Sequence, residues 1–316
     1  MNRKIKPRIL AVVGATASGK TSLGVELAKI YDGEIISADS MQIYKGLDIA
    51  SAKPTPEEMQ GIPHHLIDFL DRDSAFSVSD YVSLANEKIN DVLSRGKLPI
   101  IVGGTGLYVD SLLNNVKFSD GGSDEVYREE LYTLAREKGN GYLHNMLMET
   151  DPVSAENIHM NNLVRVVRAL EVFHMTGRRF SELKAESRLV ESPYDSLIIG
   201  LNFHDRQILY DRINMRVDEM VRNGLVEEAE SIWRTGGQKT ASNAIGYKEL
   251  IPYFENTMTL AECIDIIKQE TRRYAKRQLT WFRKNTRIQW IFLDEINKKS
   301  EISEKSQKTI ENYWNV

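Results

Sequence analysis

Gly14-Ala15-Thr16-Ala17-Ser18-Gly19-Lys20-Thr21 decides how the rest of this chain is read. The apolar run Ile9-Leu10-Ala11-Val12-Val13 precedes it, and a helical pattern, Ser22 to Ile30, follows. Strand, Gly-rich turn and helix, in that order, is the setting in which G-x-x-x-x-G-K-[ST] binds phosphate. The glycines let backbone N–H groups turn inward onto phosphate oxygens, and the helix N-terminus adds partial positive charge. Lys20 adds a full charge, and the Thr21 hydroxyl is the candidate ligand of a Mg²⁺ ion.

Working outward, strand patterns recur at Ile9–Val13, Glu34–Ala38, Leu98–Val102 and Ser196–Leu201, with helical stretches such as Val78–Arg95 between them. Strands alternating with helices predict an α/β fold, a parallel sheet with helices on both faces. Sites in such sheets lie beyond the carboxyl ends of the strands. Here those ends are the Gly14 loop, Asp39 and Gly103–Tyr108, which predicts one shared crevice. From about Phe118 to Pro193 the pattern turns helical without strong strands. The expected organisation is a core of residues 1–117 and 195–316 carrying C-terminal helices, and a helical insertion domain of residues 118–194. A long helix is expected from Leu260 to about Lys284, and the last stretch of the chain is polar apart from Trp314.

A net charge of −4 over 316 residues does not suggest a polyanion partner, but the distribution does. Lys268 to Arg287 holds eight basic residues against one acid, Glu270, and one such segment suffices to meet nucleic acid. The single cysteine, Cys263, excludes a disulfide framework and a cysteine zinc site. It lies in a helical pattern beside Ile264 and Ile267, where a buried, inert thiol is expected. No apolar run approaches the ~20 residues of a membrane span, so no membrane partner is expected and the cytoplasm is the expected location.

A phosphate loop alone does not choose between NTP hydrolysis, kinase chemistry and diphosphate displacement. NTPases usually hold Mg²⁺ with a second Asp at a strand end. The candidate strand Leu98–Val102 instead ends in Gly103-Gly104-Thr105-Gly106, with no acid. The acid in place is Asp39, in Asp39-Ser40-Met41-Gln42-Ile43-Tyr44. Its position suits a group that accepts a proton from a nucleophile, and equally a turn or helix-capping aspartate. Arg212 and Arg216 are four apart and share a helix face, which suits diphosphate oxygens or a solvated basic stripe. His64 and His65 are adjacent and lack a further ligand at metal-site spacing.

Taken together, these motifs resemble the bacterial tRNA isopentenyltransferases, the tRNA dimethylallyltransferase family. The resemblance runs in order through Gly14–Thr21, Asp39–Tyr44, Asp48-Ile49 with Ala52-Lys53-Pro54, Pro63–Asp68, Gly103–Tyr108, Arg165 with Arg168–Val172, Ala244–Glu249 and Arg272–Arg283. The chain departs from the family pattern at Ala15 (usually proline), at Ala50-Ser51 (usually glycine-threonine), and at Met160 and Asn162 in the insertion. None of these removes a presumed catalytic group.

The resemblance implies a P-loop NTPase-like core and transfer of a dimethylallyl group from dimethylallyl diphosphate to N6 of the adenosine beside the anticodon of tRNA. It implies Asp39, Thr16 and Arg216 as catalytic residues, Arg212 as a weaker candidate, and Gly14, Ala15, Thr16, Ala17, Ser18, Gly19, Lys20 and Thr21 as the diphosphate grip. It assigns tRNA contact to Asp39, Ser40, Met41, Gln42, Thr105, Arg128, Val164, Arg165, Val166, Val167, Arg168, Asn243, Ala244, Ile245, Gly246, Tyr247 and Lys248. Mg²⁺ on Thr21 and a monomeric state complete the expectation. The alternatives are an adenylate isopentenyltransferase on free nucleotide, a small-molecule P-loop kinase, and a non-catalytic RNA-binding relative. The long insertion and the basic C-terminal helix favour a tRNA substrate. Of the basic segment, Arg272, Arg273, Lys276 and Arg277 are expected to face RNA, while Tyr274, Trp281 and Phe282 are expected in the core.

Overall fold

Alternation builds the centre of the molecule. In β1 (Arg8–Gly14), Ile9, Ala11 and Val13 belong to one apolar cluster and Leu10 and Val12 to another, and all five are fully buried. A strand buried on both sides needs a covering layer on each face, which is the condition of a parallel sheet between helices. The structure is a computed structural model that describes residues 6–116, 122–187, 191–235 and 244–315.

After β1 come α1 (Lys20–Ile30), β2 (Gly33–Ser37), the single turn α2 (Pro56–Met59), β3 (His64–His65), α3 (Val78–Ser94), β4 (Leu98–Gly103) and α4 (Gly106–Leu113). Five helices follow: α5 (Glu125–Lys138), α6 (Asn140–Thr150), α7 (Pro152–Asn157), α8 (Leu163–Thr176) and α9 (Phe180–Ser187). The chain then forms β5 (Asp195–Asn202), α10 (Arg206–Arg222) and α11 (Leu225–Arg234), and a 3-10 turn at Lys248–Leu250 leads into α12 (Ile251–Phe254). α13 (Leu260–Phe282), β6 (Ile288–Phe292) and α14 (Lys299–Trp314) complete it.

The strands pair in parallel in the order β3-β2-β4-β1-β5-β6. One face packs against α1 and α14 through Leu23, Leu27, Ile310 and Trp314; the other packs against α3, α4 and α13 through Tyr81, Ile89, Val109, Leu112 and Phe282. Val13 pairs with Gly103 of β4 and Gly200 of β5, and Ser37 of β2 pairs with Val102 of β4. The carboxyl ends of β1, β2 and β4 therefore lie on one edge, and the expected α/β architecture is present.

Contacts divide the described residues into two compact units, one from 1–113 with 193–316 and one from 114–192. The second unit has its own core, built from Leu131, Leu143, Leu147, Val166, Val167 and Leu170. Asp151 starts α7 by accepting from the Ser154 N–H at 3.1 Å, and it also binds the Ser154 and Ser181 hydroxyls.

Six elements lie outside the sequence reading: α2, β3, α4, α9, β6 and α14. β3 is an edge strand of only two residues, and β6 is an edge strand whose apolar run is broken by the exposed Gln289 and half-buried Trp290. In α14 the buried positions include Ser303 and Ser306 beside Ile310 and Trp314, so small polar residues disguise the apolar face.

Candidate active site

The loop between β1 and α1 is shaped by its small residues. Gly19 sits at φ 89°, in the left-handed region that glycine enters without cost, and Ala17 sits there as well at φ 61°. Ala15 and Ala17 are buried against Leu209 and Ile213 of α10 and Ala275 and Leu279 of α13, and Ser18 is buried as well. No side chain caps the N-terminus of α1, so its first-turn amides remain available to an anion.

Lys20 and two arginines surround this loop. Lys20 Nζ donates to the Ala15 carbonyl at 3.3 Å. Loss of water around the ammonium, with Arg216 adding to the effect, pulls its pKa down to about 8, against the opposing pull of Asp39. Arg212 Nε donates to the Ala17 carbonyl at 2.9 Å while its guanidinium lies over the Phe203 ring. One turn further along α10, Arg216 is held below the usual guanidinium range, chiefly by desolvation, with Glu58, Asp39 and Glu219 opposing.

Asp39 follows β2. Its Oδ1 accepts from the backbone N–H of Met41 at 2.9 Å and of Gln42 at 3.3 Å. The turn-forming aspartate read from the sequence is thus real, and the second carboxylate oxygen takes no part in it. Thr105 Oγ1 accepts from the Ser40 N–H at 3.2 Å, and the Thr105 N–H donates to the Ala38 carbonyl at 3.1 Å. Gln42 donates through Nε2 to the carbonyls of Ser51 and Ala52.

Sequence reasoning missed three residues that hold these parts. Gln278 of α13 accepts from the Thr16 N–H at 2.9 Å and donates to the Gly104 carbonyl at 3.0 Å. A Cβ on Gly104 would lie 2.1 Å from Gln278 Nε2, so this glycine makes room for that amide. The available signal was helical phase, because Gln278 falls on the buried stripe with Ala275, Leu279 and Phe282. Glu228 of α11 accepts from the N–H groups of Asp48, Ile49 and Ala50 and from the Tyr247 hydroxyl at 2.6 Å. Lys53, with a side chain only 7% exposed, ties the Tyr44 carbonyl to Asp48 and Asp68.

Gly14–Thr21, Asp39–Gln42, Thr105, Arg212 and Arg216 all belong to the first unit, on or beside the carboxyl edge of the sheet. Ala244 and Tyr247 are buried with Ile43, Tyr44 and Leu47, and Gly246 is buried as well. The Ala244 and Tyr247 side chains pack against the 43–50 segment and Gly246 has none to offer, so the contact with RNA expected here is not made by exposed side chains of these three residues. Ile245 is half-buried and Lys248 is exposed; Asn243 lies outside the described residues.

In the second unit, Val164 and Arg165 are exposed. Val166 and Val167 are 0% and 1% exposed inside its core, so, against expectation, their side chains do not face RNA. Arg128 and Arg168 both pair with the buried Glu171, at 2.8 and 2.6 Å.

On α13, Phe282 is buried as expected, and Trp281 donates to Asp110 at 2.6 Å. Arg272 is half-buried and donates to Asn214, whereas Lys276 and Arg277 are exposed. Cys263 is buried, and burial raises its thiol pKa. Among the described residues no group of three His, Cys, Asp or Glu side chains has metal-site geometry, and no helix is long and apolar enough to cross a membrane. His65 is accounted for by its contact with Glu34.

A single hard oxygen from Thr21 in the first turn of α1 fits Mg²⁺, which keeps waters and takes phosphate oxygens rather than an all-protein cage.

Residues 42–285 match the family model described as IPP transferase. The chain is 50% identical over 298 residues to the tRNA dimethylallyltransferase of Thermoanaerobacter sp. (strain X514), covering 93% of this chain and 95% of that one. It is 48% identical over 298 residues to the tRNA dimethylallyltransferase of Bacillus cereus (strain B4264), covering 94% and 93%. Its structure resembles the full-length tRNA isopentenylpyrophosphate transferase of Bacillus halodurans with a TM-score of 0.73, at 43% identity and 98% coverage of each chain. It also resembles a eukaryotic dimethylallyltransferase acting on tRNA, with a TM-score of 0.76, 30% identity, and coverage of 87% of this chain and 70% of that one.

Proposed function

The chain belongs to the IPP transferase family, and we propose that it transfers the dimethylallyl group of dimethylallyl diphosphate to N6 of the adenosine next to the anticodon in tRNA. Diphosphate is the leaving group. The observation that carries this reading is the pairing of an uncapped helix N-terminus and Lys20 with Asp39, while the β4 end offers no acid.

In this reading the N6 amine attacks C1 of the donor. The N6–C1 bond forms as the bond from C1 to the diphosphate oxygen breaks, and one N6 proton passes to Asp39. A positioned base of this kind typically supplies ~10²–10⁴ in rate. Lys20, Arg216 and the α1 amides stabilise the charge that grows on the diphosphate, and Thr16 contacts the reacting groups. Thr21 is the residue that would hold Mg²⁺, which supplies further neutralisation of the leaving group when bound.

The nucleophile stands on a base that must leave its stack, at a cost of a few kcal/mol. Ser40, Met41, Gln42 and Thr105 lie beside Asp39 and contact the extruded nucleotide. The helical unit of residues 118–194 grips the anticodon stem-loop through Val164, Arg165, Arg128 and Arg168. The exposed α13 cations Lys276 and Arg277 meet its phosphates. The enzyme acts as a monomer in the cytoplasm.

The test is incubation with Mg²⁺ and labelled dimethylallyl diphosphate, offering unmodified tRNA or AMP, with ATP and small acceptors in parallel. Label entering tRNA supports the reading; label entering AMP alone, or phosphate passing from ATP to a small acceptor, overturns it.

A further inference from the structure

One buried carboxamide joins two strand ends at the site. Gln278 is 5% exposed and reaches from α13 to the phosphate loop after β1 and to the glycine turn after β4. Its orientation is fixed by its partners, since Oε1 must face the Thr16 N–H and Nε2 must face the Gly104 carbonyl. The remaining buried residues on this part of α13, Ala275, Leu279 and Phe282, are apolar. An apolar side chain of the same length would therefore suit the helix packing, and the amide answers to the loops.

The Thr16 N–H is spent on Gln278 and the Ser18 N–H on the Ala15 carbonyl, so the loop offers an anion the N–H groups of Ala17, Gly19 and the first turn of α1. The β4 turn held by Gln278 also carries Thr105, whose Oγ1 accepts from the Ser40 N–H next to Asp39. Tyr274, one turn earlier on α13, interacts through its hydroxyl with both Thr105 and Gln278. A polar path thus runs from the loop through Gln278 to the β4 turn and on through Thr105 to the turn that bears Asp39, with the Tyr274 hydroxyl beside Thr105 and Gln278.

We propose that Gln278 is a positioning residue that fixes the phosphate loop against the Thr105 turn, with Tyr274 as its support. This rests on the diphosphate-grip reading of the loop. It acts on the donor side of the reaction: the loop is preorganised for diphosphate, and the leaving group is set relative to Asp39. Misplacement of a reacting group by about 1 Å can cost about 10²-fold.

The test uses the full-length enzyme with Gln278→Met, which keeps length and burial, and Tyr274→Phe, which keeps the ring. Inorganic diphosphate with Mg²⁺ and unmodified tRNA are each titrated calorimetrically, the donor KM is measured, and folding is followed by thermal melting. Q278M is expected to raise the diphosphate Kd and the donor KM about tenfold, with tRNA Kd changed by less than about twofold. Y274F is expected to move the same two constants in the same direction by a smaller factor.

A folded Q278M that binds diphosphate as wild type does overturns the proposal. So does a parallel loss of tRNA and diphosphate binding together with a lowered Tm, which marks a general structural role. If Q278M does not fold, an unchanged diphosphate Kd in Y274F overturns it. Wild-type enzyme that binds diphosphate but prenylates no RNA would sink the functional reading and leave the titration valid as a test of Gln278.

Discussion

Acid should remove a defined part of this protein's stability through one carboxylate. Glu34 in β2 has a side chain only 2% exposed and is met by Arg95 at 2.8 Å, His65 at 2.8 Å and Lys97 at 3.4 Å. Arg95 is the largest cause, with His65 and Lys97 adding to it against the cost of burial, and together they hold the carboxyl at about 2, below its ordinary 4.5. The folded-state value is depressed, so between these values the unfolded chain binds the extra proton. The stabilisation is complete above about pH 4.5 and is lost as pH falls towards about 2. A separation of about 2.5, at about 1.36 kcal/mol per pH unit, is about 3 kcal/mol. Arg95 is 40% exposed and partly screened by water, so about 2 kcal/mol is the working figure. Urea melts of wild type and Glu34→Gln at pH 7, 4.5 and 3 should show this difference at pH 7 and its progressive loss in acid. Folded E34Q should retain wild-type turnover at pH 7, because Glu34 is five residues before Asp39, about 16 Å of extended chain. An equal stability difference at pH 7 and pH 3 would refute the assignment.

Asp39→Asn keeps the oxygen that accepts from Met41 and Gln42, so the turn should survive. Single-turnover prenylation should nevertheless fall ~10²–10⁴-fold while diphosphate binding is not weakened, and wild-type turnover would remove Asp39 from the mechanism. Reversing the exposed cations Lys276 and Arg277 should weaken tRNA binding and lower the slope of log K against log salt by about two; an unaltered slope would place this face away from RNA. Glu228→Gln turns an amide donor towards backbone donors at 48–50. It should cost about 1–3 kcal/mol and speed amide exchange there, and unchanged exchange would show that the carboxylate does not hold the loop.

What was legible in the sequence follows from which forces are local. The phosphate loop and the four long strands declare themselves because backbone geometry demands glycine at Gly19 and burial on both faces demands continuous apolar runs such as Ile9–Val13. The burial of the Val166 and Val167 side chains was not legible for a different reason. A motif gives the order of residues, but the phase of α8 decides which side chains see water, and these two fall on its buried stripe. Arg272 illustrates the same limit, since a basic residue on a basic segment turned out to bond Asn214 on a neighbouring helix. Helical phase places Gln278 on a buried stripe, but what Gln278 and Glu228 do was not legible, because their partners are backbone groups up to 262 and 180 residues away. No residue-type pattern marks a side chain whose task is to hold remote main chain.

The sheet order explains why an acid after β2 changes the chemistry of a phosphate loop. β4 lies between β1, which carries the loop, and β2, which carries Asp39. Two steps of about 4.8 Å put the Asp39 strand about 10 Å to the side of the loop strand. An acid after β4 would stand one step away, close enough to share a metal with Thr21. The glycine there instead offers its carbonyl to Gln278, and that position holds the loop rather than a cation. At two steps, a carboxylate faces what extends beyond the phosphates, where C1 of a prenyl donor and an attacking amine would meet. Lys20 and Arg216 both feel the Asp39 charge, so the three groups share one field. The leaving group draws on the cations and the nucleophile on the carboxylate, a division of labour that supports group transfer from a diphosphate over hydrolysis of a triphosphate.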